Sequence, residues 1–121
     1  MELTIEKTVT WEAAHSLPRM MPATHKCRRL HGHTYTLTVG VRGEVNQQGI
    51  VWDFGDLKAL MQERIVSKCD HRTLNDVVAN PTGENLVLWI VEGLRPQLPS
   101  GLTLVSVTLT EGFNNATKWT A

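Results

Sequence analysis

The stretch ELTIEKTVTWEAAH, residues 2–15, alternates with period two: Leu3, Ile5, Val9, Trp11, Ala13 and His15 fall on odd positions, while Glu2, Thr4, Glu6, Thr8, Thr10 and Glu12 fall on even ones. Successive side chains of a strand point to opposite faces, so the pattern predicts a half-buried β-strand whose apolar face ends on a histidine. The stretch HGHTYTLTVGVRGEV, residues 31–45, repeats it, with His31, His33, Tyr35, Leu37, Val39 and Val41 on one face and Thr34, Thr36, Thr38 and Arg42 on the other. His31 and His33 then share a face with Cα atoms roughly 6.6–7 Å apart. If the two strands pair antiparallel, His15 joins them on the inner face.

Outward from these strands, the turn signal Asn46-Gln47-Gln48-Gly49 closes the second one. Asp53 or Asp56 then caps a helix with Leu57, Leu60, Met61, Ile65 and Val66 at helical spacing. A second helix starts near Pro81-Thr82-Gly83-Glu84, buries Leu86, Leu88, Trp89, Ile90, Val91 and Leu94, and stops at Pro96. A third strand over 102–111 puts Val105, Val107, Leu109 and Glu111 on one face, and a short fourth over 116–120 follows the turn pair Asn114-Asn115. The order predicts an α+β domain spanning 1–121, a four-stranded antiparallel sheet with two helices on one face. Strands this long leave exposed edges, which oligomerisation would join.

Twelve basic and twelve acidic residues cancel. A neutral chain lacks the overall basic balance of a nucleic-acid binder, so an anionic ligand must be met locally, and Lys26, Arg28 and Arg29 form the one such cluster. No apolar run reaches the length of a membrane span and Met1 leads directly into a strand, so the expectation is a cytoplasmic protein without nucleic-acid or membrane partners. Two cysteines without a disulfide framework agree with a reducing compartment. Cys69 reads as a small buried hydrophobe.

Three neutral imidazoles with a fourth position open is the pattern of a catalytic zinc, whereas structural zinc usually closes its shell with thiolates. His15, His31 and His33 are therefore the candidate metal ligands. His25 lies in the loop carrying Pro18 and Pro22, outside the strand register, and is left out of the shell. Cys27, four residues before His31, is a candidate nucleophile or base. Between the helices, Asp70-His71 is an acid beside an imidazole it can orient, the usual construction of a general acid or base. Glu111 ends an apolar row and reads equally as a solvated strand end or as an anchor for a ligand's N–H donors.

These residues also carry a resemblance. Trp11-Glu12-Ala13-Ala14-His15, Cys27-Arg28-Arg29-Leu30-His31-Gly32-His33, Asp70-His71 with Leu74-Asn75, Asn80-Pro81-Thr82-Gly83-Glu84 and the late Glu111 resemble, in order and over nearly the whole chain, the 6-pyruvoyltetrahydropterin synthase family. The likeness is nearer to its bacterial branch, the 6-carboxy-tetrahydropterin synthases of queuosine biosynthesis. The resemblance implies a tunnelling fold whose sheets join into a barrel, commonly as a hexamer of two trimers. It implies zinc on His15, His31 and His33, a catalytic Cys27 with Asp70 and His71, and Glu111 as the pterin anchor, with Glu84 and Thr82 near the same pocket. The implied substrate is 7,8-dihydroneopterin triphosphate, converted with loss of triphosphate and acetaldehyde to the 6-carboxy product. The alternatives are the 6-pyruvoyl product, a zinc-bound pterin-binding protein without turnover, and a zinc hydrolase. The chain departs from the family at Gly112, where threonine is common, and at its closing Trp119-Thr120-Ala121.

Overall fold

The computed structural model describes all residues from Met1 to Ala121. Strands β1 (Glu2–His15), β2 (His31–Glu44), β3 (Arg72–Thr73), β4 (Thr103–Glu111) and β5 (Asn115–Thr120) form one sheet in the order β3-β1-β2-β4-β5. The first helix runs from Phe54 to Met61, passes through a π-helical segment (Gln62–Val66) and ends in a last turn (Ser67–Cys69). Asp53 supplies its cap by accepting from the Gly55 N–H at 2.6 Å. The second helix spans Gly83–Leu94 and is capped by Thr82, whose Oγ1 accepts from the Asn85 N–H at 3.1 Å.

Both helices cover the same sheet face. Val9, Trp11, Leu37, Val39, Val107 and Leu109 point into a core with Leu57, Met61, Ile65, Leu86 and Ile90. The opposite face is rich in hydroxyls: Thr8 and Thr38 meet at 2.8 Å, and the Thr34 hydroxyl donates to both oxygens of Glu12 at 2.8 and 2.9 Å. No helix is long and apolar enough to cross a membrane.

The antiparallel pairing of β1 with β2 and the two-helix layer agree with the sequence expectation, and three details depart from it. The sheet has a fifth strand, β3, whose two residues pair parallel with Ala13 and Ala14 of β1; so short a segment has no readable periodicity. In β4 the register slips opposite Gly40 and Val41, so Leu104, not Val105, takes the inward place beyond Val107. A bulge adds one residue and reverses the faces beyond it. In the second helix Leu88 is exposed rather than buried, because the helix presents Leu86, Val87, Ile90 and Val91 to the sheet.

Two edges remain. On the outer side of β1 only Ala13 and Ala14 have a partner strand, and β5 closes the other side with six residues. Unpaired N–H and C=O groups in long edge strands are templates for pairing with another chain.

Candidate metal centre and adjoining cavity

The register of β1 against β2 sets His15 directly opposite His31 and Ala13 opposite His33. With alternate residues on one face, the three imidazoles converge at the end of the two strands. One nitrogen from each lies within 4.8 Å of the others. The rings meet edge to face, with centroids 4.5 Å apart for His15 and His31, 5.1 Å for His15 and His33, and 5.0 Å for His31 and His33. His15 is almost fully buried, and the other two are half-buried.

Backbone carbonyls fix two of these rings. His15 Nδ1 donates to the Pro81 carbonyl at 2.8 Å, with the Tyr35 hydroxyl 3.2 Å from the same nitrogen, and His31 Nδ1 donates to the Arg29 carbonyl at 2.7 Å. A carbonyl can only accept, so each ring carries its hydrogen on Nδ1 and, when neutral, presents a bare lone pair at Nε2. Burial holds His15 below the ordinary imidazole value, and the neighbouring His31 and His33 add to this; burial followed by His31 does the same for His33. The two Nε2 atoms of His15 and His31 stand 3.0 Å apart. Two lone pairs cannot hydrogen-bond, so the arrangement fits a cation held between them, with carbonyls orienting the ligands from behind.

The triad opens into a cavity of about 520 Å³ also lined by Cys27, Glu111, Lys26 and Arg29. Cys27 arrives on a 3-10 turn, Lys26–Arg28, and is half-buried. Of the three basic residues, Arg28 turns away: its Nε donates to the Met20 carbonyl at 2.7 Å and its guanidinium rests 3.6 Å from Met21 Sδ. Glu111 reaches the cavity from β4, opposite Tyr35. Its Oε1 is buried with no hydrogen-bond partner, and the start of the second helix presses close, since a methyl group on Gly83 would lie 3.7 Å from Oε2. Burial, then the charge of Glu84, holds the Glu111 carboxyl above its ordinary value. An unpartnered buried acceptor costs free energy until something donates to it, which makes Glu111 a ready seat for a ligand bearing N–H groups. This geometry favours the anchor reading over the solvated strand end.

Asp70 and His71 lie elsewhere. Asp70 Oδ1 accepts from His71 Nδ1 at 2.9 Å and from the Glu12 N–H at 3.1 Å, and the backbone N–H contact with Glu12 is the main reason its carboxyl sits below the ordinary value. His71 has φ of 58° and donates its N–H to the Glu12 carbonyl at 2.6 Å. A left-handed conformation is costly for a side chain with a Cβ and is held only where the surroundings fix it. The imidazole is 80 % exposed and lines a second cavity of about 530 Å³ with Glu12, Ala14, Gly32 and Thr34 of the outer sheet face and with Ala13 and His33, the last of which borders both cavities. Within one chain, then, His71 and Cys27 line different cavities. Thr82 serves as a helix cap and Glu84 is exposed; neither lines the Cys27 cavity. Cys69 is fully buried with its thiol pushed up to about 12 by that burial, an inert core residue.

Sequence reasoning placed Asn75 in a motif but gave it no role; its side-chain amide clamps Ser16 by accepting from its N–H and donating to its C=O, each at 2.9 Å. This holds the chain just beyond His15. It also missed the carbonyls of Pro81 and Arg29, which carry no side-chain signal.

The 6-pyruvoyl tetrahydropterin synthase family matches residues 4–121. A dihydroneopterin monophosphate aldolase of Pyrococcus furiosus is 38% identical over 112 residues, 93% of this chain and 92% of that protein. A 6-carboxy-5,6,7,8-tetrahydropterin synthase of Synechocystis is 36% identical over 110 residues, 85% of this chain and 83% of its own length. The solved 6-pyruvoyl tetrahydropterin synthase of Caenorhabditis elegans superimposes with a TM-score of 0.85 at 29% identity, covering 100% of this chain and 96% of that one.

Glu111 supplies a prediction. A carboxyl raised in the folded state favours folding while protonated, and that contribution is lost as pH climbs from the ordinary value of 4.5 through the folded one. Glu111→Gln should therefore raise the thermal midpoint of the ligand-free protein at pH 7, and the advantage should shrink as the pH falls toward 4.5. A lower midpoint at pH 7 would contradict the unpartnered-charge reading.

Proposed function

The chain belongs to the 6-pyruvoyl tetrahydropterin synthase family, and from that premise we propose that it is a zinc-dependent 6-carboxy-5,6,7,8-tetrahydropterin synthase of queuosine biosynthesis. In this reading residues 1–121 form one catalytic domain that takes 7,8-dihydroneopterin triphosphate and releases acetaldehyde and triphosphate. The observation that carries it is the meeting of three imidazoles, a thiol and a carboxylate with one buried, unpartnered oxygen in one cavity. The name of the Synechocystis relative supports the 6-carboxy product.

The residues divide the work by chemistry. His15, His31 and His33 hold zinc, which when bound makes substrate hydroxyls more acidic and stabilises negative charge that develops on oxygen. Glu111 accepts from the amino and N–H groups of the pterin ring, a charged acceptor facing paired donors. Lys26 and Arg29, the two cations that line the cavity, meet the phosphates. Cys27 takes a carbon-bound proton from the side chain, and His71, oriented by Asp70, donates or accepts the second proton. Since His71 and Cys27 line different cavities within one chain, the dyad serves the cavity of a neighbouring subunit. The unpaired edges of β1 and β5 supply the joints of such an assembly, a barrel in the form of a hexamer of two trimers.

A second reading has one observation in its favour: the Pyrococcus relative matches at 38% identity and is named as an aldolase of the monophosphate. Carbon–carbon cleavage in the same cavity would use the same metal, thiol and anchor.

Incubation of the purified protein with dihydroneopterin triphosphate, and separately with the monophosphate, with products identified by mass, distinguishes the two. The 6-carboxy product from the triphosphate is expected; turnover of the monophosphate alone would favour the aldolase. Cys27→Ala should keep its zinc while losing about 10²–10⁴-fold in turnover, whereas His31→Ala should lose the zinc itself. Wild-type turnover in Cys27→Ala would end the proton-transfer assignment. Mixing Cys27→Ala with His71→Ala subunits under dissociating conditions and reassembling them should restore activity that neither has alone; mixed assemblies that stay inactive would place the dyad and thiol in the same chain.

A further inference from the structure

We propose that His25 is the positioning residue for Cys27, its imidazole holding the thiol in place by accepting the Cys27 backbone N–H. The inference rests on the reading of Cys27 as the reacting thiol. His25 Nδ1 accepts from the Cys27 N–H at 3.1 Å and stands as the cap of the 3-10 turn Lys26–Arg28. A backbone N–H can only donate, so this nitrogen is the bare one and the neutral ring carries its hydrogen on Nε2.

The turn has little else to fix it. None of its three residues is buried, so no core packing locates the thiol. Its place depends on a few hydrogen bonds. The Cys27 carbonyl accepts from the Leu17 N–H at 2.8 Å, which ties the turn to the chain two residues beyond the ligand His15. The His25 N–H donates to the Pro22 carbonyl at 2.8 Å, the Arg28 N–H to the His25 carbonyl at 3.1 Å, and Arg28 Nε to the Met20 carbonyl at 2.7 Å. The Arg29 N–H donates to the Lys26 carbonyl at 3.1 Å, so two backbone bonds close the turn around Cys27, but the partner of the Cys27 N–H itself is the His25 side chain. Removing it leaves that N–H without its partner and loosens the turn at the thiol, and a reacting group misplaced by about 1 Å can cost 10²-fold.

Histidine is an unusual cap, since Ser, Thr, Asp and Asn are the common ones. An aspartate here would set a full negative charge beside the thiol and oppose its ionisation. A neutral imidazole caps without that charge, and asparagine is the substitution that keeps a neutral acceptor.

The test compares His25→Ala and His25→Asn with the wild-type protein by steady-state turnover of dihydroneopterin triphosphate and by the rate at which iodoacetamide alkylates Cys27, followed by mass mapping. Thermal midpoint and zinc content are measured alongside. His25→Ala should lower kcat about 10–100-fold with little change in KM and should speed alkylation by freeing the turn, with zinc retained. His25→Asn should restore both towards wild type. Should the alanine variant not fold, the asparagine variant still decides, because it must stay near wild type in both measurements. Unchanged alkylation in a folded His25→Ala, or an asparagine variant that behaves like alanine, would overturn the proposal. The alkylation measurement needs no pterin turnover, so it separates failure of the positioning role from failure of the proposed reaction.

Discussion

The antiparallel register that sets His15 against His31 is the constraint on which the site depends. A slip of one residue would send His15 to the outer face and separate it from the pair on β2. The register is held by the rest of the sheet: Trp11 stacks on Tyr35 across the strands with ring centroids 5.6 Å apart, and Leu37 and Val39 are fully buried beneath the helices. Apolar burial of those side chains thus determines where the imidazoles meet, although none of them touches a metal. The same burial keeps His15 neutral and able to ligate.

Around this register the chain fixes its reactive groups mainly with backbone partners. Pro81, at the entry to the second helix, orients His15; Arg29, at the exit of the 3-10 turn, orients His31; Glu12 holds Asp70 and His71 through both its N–H and its C=O. Such partners survive side-chain change. They also leave Cys27 and His71 in two different cavities, both bordered by His33. The three imidazoles, Cys27 and Glu111 share one cavity while His71 lines another with Thr34 and Thr73, and the assembly proposed above would answer both the open strand edges and the divided site.

Much of this was legible in the sequence because β1 and β2 obey a strict period of two over fourteen residues each. That pattern alone predicted the strand pair and the convergence of His15, His31 and His33. The phase of β4 was not legible, because the bulge opposite Gly40 and Val41 moves Leu104 inward and leaves no mark in its own residues. Strand β3 escaped notice for its length, and the exposure of Leu88 is a matter of helix rotation against the sheet. Thr82 drew attention by its place in a motif, yet its hydroxyl caps a helix. His25 lies outside the group of three imidazoles, and its bond to the Cys27 N–H depends on loop geometry that no spacing rule expresses.

The central claim is that three imidazoles, and no thiolate, hold a zinc ion with one position left for an oxygen ligand. X-ray absorption at the zinc edge of the purified, metal-loaded protein tests it most directly. The account predicts three nitrogen scatterers at about 2.0–2.1 Å with one further light ligand and no sulfur. A sulfur scatterer at about 2.3 Å would put Cys27 in the metal shell and contradict the assignment of that thiol to proton transfer.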